Sequence, residues 1–136
     1  METNTLWASL VGMFVAIIVY LIGGVDELVK SLTIIMATDF ILGVMVAYSV
    51  RNIDSRKALK GLLKKTAMIL MLIVAVQLDL VTNSEGLMRN AMILFLIGTE
   101  GISIIENLGK LGAPVPKFLV NAFSKLRDNN NDKKGS

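Results

Sequence analysis

The chain has 136 residues, 54% of them hydrophobic and 18% charged, with a net charge of +3 and a mean hydropathy of +0.65. That length suits one compact unit, and the apolar share exceeds that of an ordinary soluble domain. It has no cysteine and no histidine, which excludes disulfides, thiolate metal sites, cysteine nucleophiles and imidazole acid–base catalysis.

Four apolar runs follow one another: residues 6–22 (LWASLVGMFVAIIVYLI), 31–50, 66–82 and 87–106. Each approaches the roughly 20 residues that a helix needs to cross about 30 Å of hydrocarbon, the first and third being at the short end. They lack strand alternation, and MFVAIIVYLI and AMILMLIVAV have no polar face for a water-soluble bundle to present. The expectation is an all-α membrane protein of about four transmembrane helices over residues 1–110. The N-terminal METNTLWASL lacks a basic region and a small-residue cleavage site, so it is not expected to be a cleaved signal peptide.

Charge sorts by loop. Residues 51–65 hold six basic residues, Arg51, Arg56, Lys57, Lys60, Lys64 and Lys65, and the tail from Asn107 onward holds six more. The linkers GGVDELVK and TNSEG together hold one. The positive-inside rule therefore puts the central basic loop, the tail and, with four spans, both termini in the cytoplasm. The loop has helical spacing, so it either continues the third helix or lies among the headgroups, where anionic lipid would attract it by about 1 kcal/mol per basic residue. Ordinary topology explains it without a nucleic-acid partner. After Pro114 and Pro116, residues 111–127 read as a turn and an amphipathic segment, placed either in the inner leaflet or on the protein itself. Residues 128–136 are polar and are expected to be disordered.

Several polar groups fall where they are costly. Asp39 lies near the centre of the second run, at about 2.5–3.5 kcal/mol on insertion scales, on one stripe with Gly43 and Ala47. Small residues let helices approach and a polar group bond across the contact, so this stripe suits an oligomer contact or a pore lining, or an internal hydrogen bond. Glu100 shares a face with Ser103 and Asn107, while Glu106 falls at headgroup level. Asp79 and Arg89 could form a structural ion pair across the outer turn. Asp39 and Glu100 are expected to have no intramembrane cation available within the chain, so they are either protonated and hydrogen-bonded or face water. No nucleophile, metal set, cofactor loop or phosphate loop accompanies them, and an enzyme is not expected.

DFILGVMVA, SRKALKGLLKK and above all TEGISIIENLGKLGAPVPKFL carry a resemblance to the toxin-secretion and phage-lysis holins, small multi-span proteins that perforate the bacterial cytoplasmic membrane. The resemblance covers roughly residues 26–127. It implies self-association into lesions that release an endolysin or a protein toxin without necessary direct contact, leading to host-cell lysis. Asp39, Gly43, Glu100, Ser103, Glu106 and Asn107 fall on the family pattern. A small ion channel or proton-coupled carrier is the alternative, and so is a regulator of the antiholin kind that makes no pore.

Overall fold

The computed structural model describes residues 2–128; the tail beyond, expected to be disordered, lies outside the described residues. The described chain is helical: α1 (Glu2–Leu21), α2 (Glu27–Ser49), α3 (Ser55–Thr82), α4 (Leu87–Lys110) and α5 (Lys117–Asp128). The first four are long and apolar enough to cross a membrane.

Local chemistry sets the boundaries. Asp26 caps α2, its carboxylate accepting the Val29 N–H at 3.0 Å, and Asp54 caps α3 through the Arg56 N–H at 2.8 Å. Asn83, left-handed at φ 51, closes α3. The start of α4 has no cap of its own, because Gly86 has no side chain. Asp79 of α3 supplies one across the turn, accepting the N–H groups of Met88 (2.9 Å) and Arg89 (2.8 Å). Gly112, at φ +76, and the two prolines then end α4 and redirect the chain into α5.

The basic segment is not a loop. Only residues 51–54 are irregular, and the basic run from Arg56 forms the first turns of α3. This extends α3 to 28 residues, about 42 Å at 1.5 Å per residue.

α4 is the centre of the molecule, packed against α2, α3 and α5. Its buried positions Arg89, Ile93, Leu96 and Glu100 fall at three- and four-residue intervals, and Asn107 follows seven residues on, all on one stripe of an α-helix. Val29 and Leu32 of α2, Met68 and Leu72 of α3, and Ile22 complete the core. α5 runs back along α4 over two glycines. A Cβ at Gly98 would lie 2.6 Å from the backbone nitrogen of Arg127, and one at Gly101 would fall inside the Phe123 ring. Of its two placements left open by sequence, α5 takes the one on the protein, with Phe123 and Leu126 against the core. α1 buries none of its residues; its C-terminal end, through Ile18 and the following Ile22, reaches the bundle.

Candidate functional site

The stripe positions that hydropathy assigns to the core are not all apolar. Asp39 on α2, Lys65 on α3, and Glu100 and Asn107, two turns apart on α4, all fall on inward-facing stripes and join in one network. The Lys65 ammonium donates to Asp39 Oδ2 at 2.9 Å and to Glu100 Oε2. Asn107 Nδ2 donates to the other Asp39 oxygen at 3.1 Å. The Glu100 side chain is fully buried, and those of Asp39 and Lys65 are 12% and 15% exposed.

This arrangement corrects two expectations. The acids do have a cation within the helices, and it is Lys65, which composition had placed in the topology-determining basic loop. Lys65 turns inward, while Arg56, Lys57, Lys60 and Lys64 on the same helix remain exposed. The signal was present in the spacing: the buried residues Met68, Leu72, Ala75 and Asp79 of α3 repeat at three and four, and one more step back is Lys65.

One ammonium serves two carboxylates, and Glu100 Oε1 is a buried oxygen without a hydrogen-bond partner. Such a cluster is held by the packing around it. Desolvating charges costs several kcal/mol per ion, and the attraction returns this only while all partners stay in place. Gly43 packs beside this contact, and a Cβ there would lie 4.0 Å from Asn107 Nδ2, an ordinary van der Waals distance. Ala47 and Ser103 are half-buried further along the same two helices, and Glu106 is exposed. Within one chain, the Asp39–Gly43 stripe thus packs inward on α4.

A second polar cluster ties the α1–α2 turn to the start of α4. The Arg89 guanidinium donates to Asp26 Oδ2 (2.7 Å) and to the carbonyls of Ile22 (2.7 Å) and Gly24 (3.1 Å). The expected Asp79–Arg89 ion pair is therefore replaced. Arg89 turns to Asp26, 63 residues away, and Asp79 meets Arg89 through the backbone N–H alone. The hydrogen bond from Arg89, helped by that from the Val29 N–H, lowers the Asp26 carboxyl from its ordinary 3.8 to about 2. Gly23 fits here for two reasons: its φ is +82, and a Cβ would lie 2.9 Å from Arg89 Nε.

Among the described residues, no group of three or more acids gathers as metal ligands would. What the central cluster offers is hydrophilic surface folded inward, contributed by three separate helices.

A model of the bacteriophage holin family matches residues 16–128. The chain is 32% identical over 114 residues to a protein of Bacillus phage phi105 named a probable holin, covering 84% of each. It is 37% identical over 108 residues to an uncharacterised protein of Listeria monocytogenes, covering 79% of this chain and 77% of the relative. It is 35% identical over 115 residues to an uncharacterised protein of Clostridium perfringens, covering 84% and 85%. No solved structure matches the chain.

Proposed function

Starting from the chain's membership of the bacteriophage holin family, we propose that it self-associates in the bacterial cytoplasmic membrane and opens lesions through which a wall-degrading endolysin or a protein toxin leaves the cell. Both termini lie in the cytoplasm in this reading, as the basic residues of α3 and of the tail require. The endolysin or toxin is cargo and need not touch the protein.

The central cluster is the observation that supports this most. A lesion-forming protein has to enter the membrane with its polar surface hidden and later present that surface to water. Asp39 and Glu100 share the Lys65 ammonium while α2, α3 and α4 stay together. When the helices part, each becomes a charged group that needs water, so the same residues favour a wet lumen in an assembly of several copies.

The test follows two signals in bacteria expressing the chain: membrane potential, and escape of a cytoplasmic reporter enzyme. Depolarisation together with reporter release is the expected result. Depolarisation with the reporter retained would replace the reading with a small ion channel or proton-coupled carrier. If neither signal moves in membranes shown to contain the protein, a regulator of the antiholin kind takes its place.

A further inference from the structure

Among the described residues, α1 presents a largely exposed apolar surface, and a groove opens between α3 and α4. The groove has a volume of about 700 Å³. Met71, Val74, Ala75, Ala91, Met92 and Phe95 are among the residues that line it. Three of the chain's eight methionines line it, Met88 being the third. Methionine is the side chain best able to reshape around an incoming aromatic or branched residue.

α1 offers the complementary relief. Leu10, Phe14 and Ile17, at i, i+4 and i+7, form a bulky ridge and are 53%, 66% and 49% exposed. Thr5, Ala8, Gly12 and Ala16 occupy the opposite side of the helix.

Depth matches as well. Arg89 holds the carbonyls of Ile22 and Gly24, so the C-terminal end of α1 lies level with the start of α4. Phe14, seven residues below Leu21, is then about 10 Å beneath that level, and so is Phe95, seven below Met88.

The same Arg89 bonds keep the helix out of its own groove. They root α1 on the Arg89–Ile93–Glu100 face of α4. The Met88–Met92–Phe95 face lies about a third of a turn away at 3.6 residues per turn. α1 would have to release its anchor to swing there.

We infer that the ridge of α1 docks into the α3–α4 groove of a second copy of this chain, an exchange that rests on the self-association proposed above. Lipid tails are as apolar as leucine, so what selects a helix over lipid is shape, and a ridge of fixed side chains fills a concave groove better than mobile tails. The contact is heterologous, with a helix on one side and a groove on the other. Each copy keeps one free helix and one free groove, so the assembly grows head to tail and closes into a ring where the rotation permits.

The absence of cysteine makes the test clean. One copy carries Ile17→Cys and a differently tagged copy carries Val74→Cys; the two positions lie at matched depth. Co-expressed in the membrane and oxidised, they should give a disulfide-linked dimer carrying both tags. A chain carrying both substitutions should give a ladder. Leu10→Cys with Leu78→Cys, offset by about 15 Å along the helices, should give no link. Gly12→Leu, on the far side of α1, should leave the ladder unchanged.

Three results would overturn the inference: a doubly substituted chain that links only within itself, Ile17 linking only to Ile17, or a ladder abolished by Gly12→Leu. A fourth is no disulfide from chains that a lysine-reactive cross-linker still captures as oligomers, which leaves self-association standing and removes this interface. Reporter release by the unsubstituted chain tests the lesion reading separately.

Discussion

Replacing Lys65 by methionine keeps an unbranched side chain one atom shorter and removes the cation that Asp39 and Glu100 share. Asp39 retains Asn107 as a donor, but Glu100 loses the one side chain that reaches it, inside a site where it has no exposure. Breaking a buried ion pair by deleting one partner costs about 3–5 kcal/mol. Interhelical hydrogen bonds in a membrane average only about 0.6 kcal/mol and reach about 1.7. These two scales separate the explanations. If Lys65 acts as the counter-charge, Lys65→Met should destabilise the protein in detergent by about 3 kcal/mol or more. Adding Glu100→Gln should then recover part of that loss, because it removes a charge that has no remaining partner. The assay is a double-mutant cycle by thermal unfolding, with helix content confirmed in each variant, and the expected coupling exceeds about 1.7 kcal/mol. A loss below about 1 kcal/mol for Lys65→Met, additive with Glu100→Gln, would refute the idea that the cluster holds the helices together through charge.

Asp39→Asn keeps a partner for Asn107 and removes the charge; it should preserve assembly while delaying lysis, and unchanged lysis timing with both Asn and Ala at this position would remove Asp39 from the mechanism. Gly101→Ala pushes a methyl into the Phe123 ring and should cost about 1–3 kcal/mol as overpacking, or expel α5 and expose it to protease; Phe123→Ala in the same chain should restore most of the loss, and an additive loss would show that α5 does not pack there. The Arg89 clamp gives a pH dependence. Asp26 is lowered to about 2 in the folded protein, so its contribution is complete above about pH 4 and is lost as pH falls toward 2. Acid unfolding curves should show this window, and Arg89→Met should abolish it; an unchanged acid limb in that variant would contradict the pairing.

The apolar runs were legible because a hydrocarbon solvent leaves only length and composition to satisfy, and both can be read in one dimension. Charge inside the helices was less so. Lys65 ends a run of basic residues, and composition groups it with Lys64, its neighbour in sequence, although 100° of helix rotation separates them. Continuing the Met68–Leu72–Ala75 stripe backward separates the two, so this part of the site was available to a reading that followed periodicity through the charged segment. The partner of Arg89 was not available. Asp26 lies across two interhelical turns, and what joins them is the left-handed bend at Gly23–Gly24, which presents carbonyls to the guanidinium. The seat of α5 was hidden for a similar reason. Gly98 and Gly101 read as small residues in a span, and only the return of the chain after Pro116 shows which helix uses the room.

Where the bilayer ends on the inner side follows from comparing two costs. Below the level of Lys65, α3 carries Arg56, Lys57, Lys60 and Lys64, all exposed. At the same level α2 exposes Phe40, Ile41, Val44, Met45 and Tyr48, between 50% and 75% each. Holding four cations in hydrocarbon would cost about 2.5–3.5 kcal/mol apiece, roughly 10 kcal/mol or more together. Leaving the five α2 side chains and Leu59, Leu62 and Leu63 of α3 out of hydrocarbon costs about 1.5–3 kcal/mol for each one fully exposed, and they are little more than half exposed, so the sum is nearer 7–13 kcal/mol. α5 tips the balance, because its Lys125 and Arg127, alongside Gly98 halfway down α4, raise the cost of the cations to roughly 15 kcal/mol or more. The charges prevail. The hydrocarbon boundary then lies near Lys65, and Thr66–Thr82 spans about 25 Å above it. That puts the central cluster at the boundary, one helical turn or so from the water on the side of the basic residues, instead of at the midplane that the position of Asp39 in its run implies. A cysteine at Val44 should therefore react with a membrane-impermeant maleimide applied from the cytoplasmic side, whereas one at Leu94 should not. Protection of both positions would put the whole of α2 in lipid and move the cluster back to the middle of the membrane.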